Sequence, residues 1–437
     1  MRIQRPVWIV SILTAVILLA NTISFSTSQS KYSTNYPAVV CPPTPKDLTT
    51  AISLASTKTP IRATGTKSPS FIPSQSLRYN QTKAPIIVKS QGTTPVVWQI
   101  RNGVWAGATI CSSVQSEQWF VGGAADVTSK GRLLMVNSGL SAAIVDVEIW
   151  SEVGPQISNS FTLKANSYQE VSLNSLAPGS KAIVLHAITR SGRVTNYVID
   201  ERGRGLRALG GDLVNFAPRA AKEIYIPAIA HTVQNNRGRQ AALSHTLRVL
   251  VPGEVDANIT VKIFSTDGSF IPAGFENRVI KRGSVISLPL SPQLPQSKFG
   301  VQISSDEPIL AAVYSPTITE GKSDFIWSTA TPELSEISLS VAGLAPQLVF
   351  IGKKISISGE FFFGNGKRKE FLLNGADIAS LKVADGVRSI TFTKVGSGIY
   401  GAGLVSTRSG YGYFPLTPGS VLTKSSIPIS NIRVLTP

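Results

Sequence analysis

The sequence predicts an all-β protein: tandem β-sandwich-like repeats behind an N-terminal transmembrane or signal helix. Three observations lead there. Short apolar runs alternate with polar residues and are punctuated by turn formers, with 36 Gly and 27 Pro among 437 residues. Blocks of such runs recur about every hundred residues, too long a period for a solenoid or propeller. An uncharged apolar leader opens the chain.

The leader comes first. Arg2 and Arg5 precede an uncharged run from Val7 to Ala20, a basic segment followed by a hydrophobic one. Positive charge stays inside, so the chain that follows is exported. The run is short of the roughly 20 residues a span needs, but residues 21–25 can extend it, and no Ala-x-Ala cleavage site follows. Residues 1–25 therefore read as a signal peptide or as a signal anchor in the cytoplasmic membrane. Residues 26–60, rich in Ser, Thr and Pro, read as an extended tether.

Cysteine use agrees with export. Cys41 and Cys111 suggest one disulfide, two free buried thiols being the alternative. Its loop of about 70 residues would contribute roughly 4 kcal/mol through chain entropy. With three scattered His there is no zinc-like spacing, and no cofactor or metal is expected.

Strand-like runs begin near residue 61. Ile61–Thr64, Pro85–Lys89 and Val96–Ile100 are the first, the last leading into Asn102-Gly103, a hairpin signal. An internal repeat then emerges. Val147-Glu148-Ile149-Trp150-Ser151 matches Val261-Lys262-Ile263-Phe264-Ser265, 114 positions later. Arg132–Asn137 matches Thr246–Val251, Tyr168–Leu173 matches Gly283–Leu288, and Arg193–Val198 matches Pro308–Tyr314. A diverged third copy reads from Leu348–Ile351, Ile355–Gly359, Phe361–Gly366, Ser389–Phe392 and Gly398–Val405. Units of about 100 residues have the size of a β-sandwich. The expected divisions are 61–217 (an extension plus the first sandwich), 218–334 and 335–437.

Gln118-Trp119-Phe120-Val121-Gly122-Gly123, seven residues after Cys111, and Arg132–Asn137 beyond it carry a resemblance. So do Arg204-Gly205-Leu206-Arg207-Ala208-Leu209-Gly210-Gly211-Asp212 and Pro218, which look like a link between repeats. Over most of residues 105–437 the chain resembles an uncharacterised family of actinobacterial envelope proteins, a domain of unknown function. The resemblance implies export, an N-terminal anchor and β-rich repeats, and no activity.

The candidate chemistry is sparse. His186 sits in the apolar run Ala182–Ile188 and reads as a strand residue rather than a general base, and no Gly-x-Ser-x-Gly elbow occurs. Gly364-Asn365-Gly366-Lys367 lacks phosphate-loop spacing and reads as a hairpin turn. No catalytic residue is nominated. What remains is charge: 42 Lys and Arg against 25 Asp and Glu, a net +17, a field that attracts anions. Two clusters are candidate anion sites: Arg202, Arg204 and Arg207, and Lys367, Arg368 and Lys369. The expected function is that of a non-catalytic envelope protein holding an anionic wall polymer or lipid headgroups. The alternatives are a scaffold with protein partners in a membrane complex, and an envelope carbohydrate-active enzyme with carboxylates at repeat interfaces. Nucleic acid is not an expected partner, because the basic residues are scattered.

Overall fold

The structure of the protein, a computed structural model, describes Thr14 and residues 32–426, except 67–69, 82, 102–104, 206, 237–238, 296, 320 and 409. The leader read over residues 1–25 thus lies outside the described residues apart from Thr14. Among the described residues no helix is long and apolar enough to cross a membrane. The all-β expectation holds. From residue 32 on, the described helix is one turn, Leu173–Leu176, capped by the Ser172 hydroxyl accepting from Asn174 N–H.

Contacts divide the chain into two units. In the smaller, Tyr32–Asn35 pairs antiparallel with Thr423–Ser426, and the Lys424 ammonium lies 4.3 Å from the Tyr32 ring centre. The larger runs from Tyr36 to Val421 and contains all that follows.

Residues 39–111 fold as a small sandwich. One sheet orders Val39–Cys41, Ile86–Val88, Pro60–Ala63 and Ile72–Pro73; the other holds Arg78–Gln81, Thr49–Ser53, Thr93–Arg101 and Trp105–Ile110. Val39, Ile52, Leu54, Ile61, Val88 and Val97 fill the space between them, together with the bonded pair Cys41–Cys111. The expected tether over 26–60 is corrected here. From residue 36 on, this stretch is folded, because its few apolar residues, Val39, Val40, Ile52 and Leu54 among them, are buried. The expected hairpin after Val96–Ile100 is present as the antiparallel pair Thr93–Arg101 and Trp105–Ile110. Its Asn102-Gly103 turn lies outside the described residues.

The next two sandwiches share one set of pairings. Arg132–Asn137 lies between Ser167–Ser172 and Val194–Arg204; correspondingly, His245–Leu250 lies between Val285–Leu290 and the second half of Lys298–Thr319. Ala143–Ser151 pairs with Gly154–Pro155, Asn159–Leu163 and Ile183–Ser191. Ala257–Ser265 pairs with Gly268–Phe270, Arg278–Ile280 and the first half of Lys298–Thr319. The central strands alternate, Ala143–Ser151 throughout and Ala257–Ser265 as far as Ile263, as in Val145, Val147 and Ile149 against Ile259, Val261 and Ile263, all buried, because a half-buried strand presents every second side chain to the core. One continuous core fills both sandwiches.

The C-terminal part departs from expectation twice. The separate runs 348–351, 355–359 and the start of 361–366 are one 17-residue strand, Gln347–Phe363, carried past a bulge at Gly352–Ile355, with 364–366 as the turn that follows. It pairs with Arg368–Lys382, Val387–Val395 and Tyr400–Thr407, which is not the arrangement of the first two sandwiches. Its sheet is also not self-contained. Ser338–Ser340 pairs in parallel with Thr93–Pro95, so strands from 49–110 complete it. The divisions at 61–217 and 335–437 are corrected accordingly: the N-terminal strands belong with the C-terminal sheet.

Candidate functional site

The six candidate basic residues separate into two surfaces and one buried partner. Arg202 is half-buried and is held by Asp200, with Nη2 at 3.0 Å and Nε at 3.3 Å from its carboxylate. Burial alone would lower its pKa, but the charge and hydrogen bonds of Asp200 outweigh that and raise it. The anion-site reading of Arg202 is therefore corrected: its anion is Asp200. Arg204 and Arg207 are exposed and face each other in register at the end of the hairpin Val194–Arg204 with Arg207–Val214. Lys130 Nζ reaches the Gly205 carbonyl at 3.3 Å and adds a third cation there. Lys367, Arg368 and Lys369 are exposed where Gln347–Phe363 turns into Arg368–Lys382. Arg368 lies 5.0 Å from the Phe362 ring centre, while Phe361 enters the core.

The residues behind Arg202 form a buried polar junction between the first and second sandwiches. Trp327 donates its indole N–H to Asp200 at 2.9 Å and its backbone N–H to Asp212 at 2.7 Å. The Arg248 guanidinium lies 4.7 Å from the Trp327 ring and donates to the Gly123 carbonyl at 2.6 Å. Complete burial pushes Arg248 down to about 9, and burial raises Asp212 well above the carboxylate range. Asp324, raised to about 7 by burial, accepts Gly211 N–H at 2.9 Å. Gly210 has φ +113°, and a Cβ there would lie 2.5 Å from Asp324 Oδ1, so glycine is required on both counts. Such a buried polar network specifies packing.

A pocket of about 220 Å³ opens where strand Ala221–Ala230 meets the C-terminal sheet. Tyr225 and Tyr400 stack at 3.7 Å with nearly parallel rings. Glu223 and Glu333, both exposed, stand at its rim, and Arg219, also on the rim, is ion-paired to Glu117. Burial, then each other's proximity and the two glutamates, push Tyr400 up to about 12; Tyr225 is raised by burial and by Glu223 and Glu333. Buried Thr331 completes the wall.

A family model matches residues 81–348, more than half of the chain. The chain belongs to DUF5719, a family of unknown function. A comparison with curated proteins returns no match. Among solved structures the DUF5719 chain is similar to a chain of the T13 IBDV viral particle, at 9% identity, 86% and 77% coverage of the two chains and TM-score 0.13. It is also similar to a tetra-tandem repeat from the extending region of a large adhesion protein, at 10%, 93% and 97%, and 0.13. At that score neither informs the fold.

In this DUF5719 chain parts of two of the motifs that carried the resemblance meet at the junction. Gly122 packs against Val214 and Trp327, Gly123 supplies the carbonyl for Arg248, and Gly211 and Asp212 bind Asp324 and Trp327. They are architectural residues. Among the described residues no group of three or more His, Cys, Asp or Glu could hold a metal. His186 is a strand residue as read, stacked on Trp119 at 3.8 Å and set between Glu117 at 2.9 Å and Glu148 at 3.1 Å. Sequence reading missed the pocket, because Glu223, Glu333 and Tyr400 are far apart in the chain and sit in no motif. It also missed a buried relay in which Ser315, His245 and His231 join at 2.8 and 2.9 Å.

That relay has a measurable consequence. Burial, then the neighbouring His231, pushes His245 down to about 3. The native state keeps it neutral while the unfolded chain protonates near 6.5, so its contribution is full above that pH and is lost as pH falls towards 3. Asp324 has the opposite sign. Its native carboxyl protonates near 7, before the unfolded one, so its contribution is present in acid and lost as pH rises through 7. A variant resolves the two: between pH 7 and pH 5, His245→Asn should lose about 2 kcal/mol less stability than the parent in denaturant titrations. Identical pH dependence of the two proteins would contradict it.

Proposed function

We propose that this protein is a non-catalytic binding protein of the cell envelope. In this reading it is exported behind its N-terminal leader, built on tandem sandwiches, and holds an anionic wall polymer or lipid headgroups. The observation that carries the reading is the Arg204–Arg207 pair. Like charges directly across a hairpin are destabilising, and among the described residues neither these two nor Lys367, Arg368 and Lys369 pairs with a carboxylate. An anion would relieve that repulsion. The net charge of +17 acts in the same direction by raising the local concentration of anions. The disulfide suits an oxidising compartment.

The test is cosedimentation with vesicles containing phosphatidylglycerol and with a soluble wall polyanion, over a range of salt. Binding should weaken steeply as salt rises. With about 1 kcal/mol per cation near an anionic surface, Arg204→Gln with Arg207→Gln should cost roughly thirtyfold in affinity, and the triple Gln variant at 367–369 a comparable or larger factor. Salt-insensitive binding, or variants that bind like the parent, would remove the proposal.

A further inference from the structure

The pocket lined by Tyr225 and Tyr400 has a chemistry opposite to that of the surface. In a chain with net charge +17, its rim carries Glu223 and Glu333, and the cation that lines it, Arg219, is taken up by Glu117. Gln302 Nε2 donates to Glu223 at 2.9 Å and Gly398 N–H donates to Glu333, which occupies one oxygen of each carboxylate. Thr331, only 4% exposed, lines the same wall, and its hydroxyl has no hydrogen-bond partner. A buried hydroxyl without a partner costs free energy that a ligand's donor would recover. Tyrosine faces attract cations, and the floor, including Ile224, Leu310 and Ala330, is apolar.

We infer that this pocket binds a small primary ammonium ligand. Its N–H groups donate to the remaining oxygens of Glu223 and Glu333 and to the Thr331 hydroxyl, and its alkyl stem rests on the tyrosines and the apolar floor. A –NH3⁺ group offers three donors and no acceptor, which suits a lining that supplies three acceptor side chains; an anion would meet two like charges. Burial and the two carboxylates raise both tyrosine hydroxyls, so neither adds a charge of its own to the pocket.

Calorimetric titration of the full chain with n-butylammonium tests this, with 1-pentanol as an uncharged analogue of similar size and tetramethylammonium as a cation without N–H donors. Saturable binding in the millimolar range is expected for the amine alone. Glu223→Gln combined with Glu333→Gln should weaken it about tenfold or more, and Thr331→Val severalfold. Should the double variant unfold, each single glutamate variant gives the same reading. Arg204→Gln with Arg207→Gln should leave amine binding intact, which separates this site from the anion surface. Absence of saturable amine binding, equal binding of pentanol or tetramethylammonium, or unchanged affinity in the glutamate variants would overturn the inference.

Discussion

Replacing Cys41 and Cys111 by serine lowers stability by about 4 kcal/mol, through the freedom returned to a 70-residue loop in the unfolded chain. The bond joins the first strand of the N-terminal sandwich to the residue after its last, and both cysteines are fully buried in that small core. Val40 and Ser112, next to them, already exchange backbone hydrogen bonds at 2.8 and 3.1 Å. Native contacts beside the bond therefore survive its loss, and the effect falls on the unfolded state. Hydrogen exchange should show the loss first in residues 39–111 and, through the parallel pairing of Thr93–Pro95 with Ser338–Ser340, in the neighbouring edge of the C-terminal sheet. Unchanged exchange protection in the double serine variant would refute this.

Asp200→Ala should be comparably damaging, at roughly 3–5 kcal/mol. Asp200 is fully buried, and it is the acceptor for both the Arg202 guanidinium and the Trp327 indole. Its removal strands the half-buried Arg202 cation near Arg248, a fully buried cation that hydrogen-bonds to the Gly123 and Ile183 carbonyls. The loss is one of pairing rather than of packing. Adding Arg202→Met to the Asp200→Ala background should therefore recover a substantial part of it, because removing both members of a buried ion pair costs far less than removing one. Guanidinium titrations of the three proteins decide it. A double variant no more stable than Asp200→Ala would show that Asp200 serves through its contacts to Trp327 instead.

The two effects differ in how readily they could be read from sequence. Two cysteines suggest a single bond, and that bond is present. Nothing local marked Asp200, Arg202, Asp212 or Asp324 as one network. Arg202, in a run of alternating Arg and Gly, looked like an open cation; it is closed because the strand Lys322–Thr329 brings Trp327 and Asp324 against its hairpin. By the same logic Gly364-Asn365-Gly366 was readable as a turn, since turn chemistry is local. The stretch 36–60 was misread because strands of three to five residues with few apolar side chains look like a linker until their partners are known.

Alone, the chain's order of residues determined its class and many of its strands, because strand periodicity and turns are written within a few neighbouring positions. It also determined the correspondence of the two central sandwiches, whose alternating strands share a pattern. The tertiary structure alone decided which strands close which sheet, which charges are buried, and that Glu223, Thr331, Glu333 and Tyr400 surround one pocket. Those outcomes rest on contacts across a hundred residues or more, and such contacts leave no periodic trace in the chain that makes them.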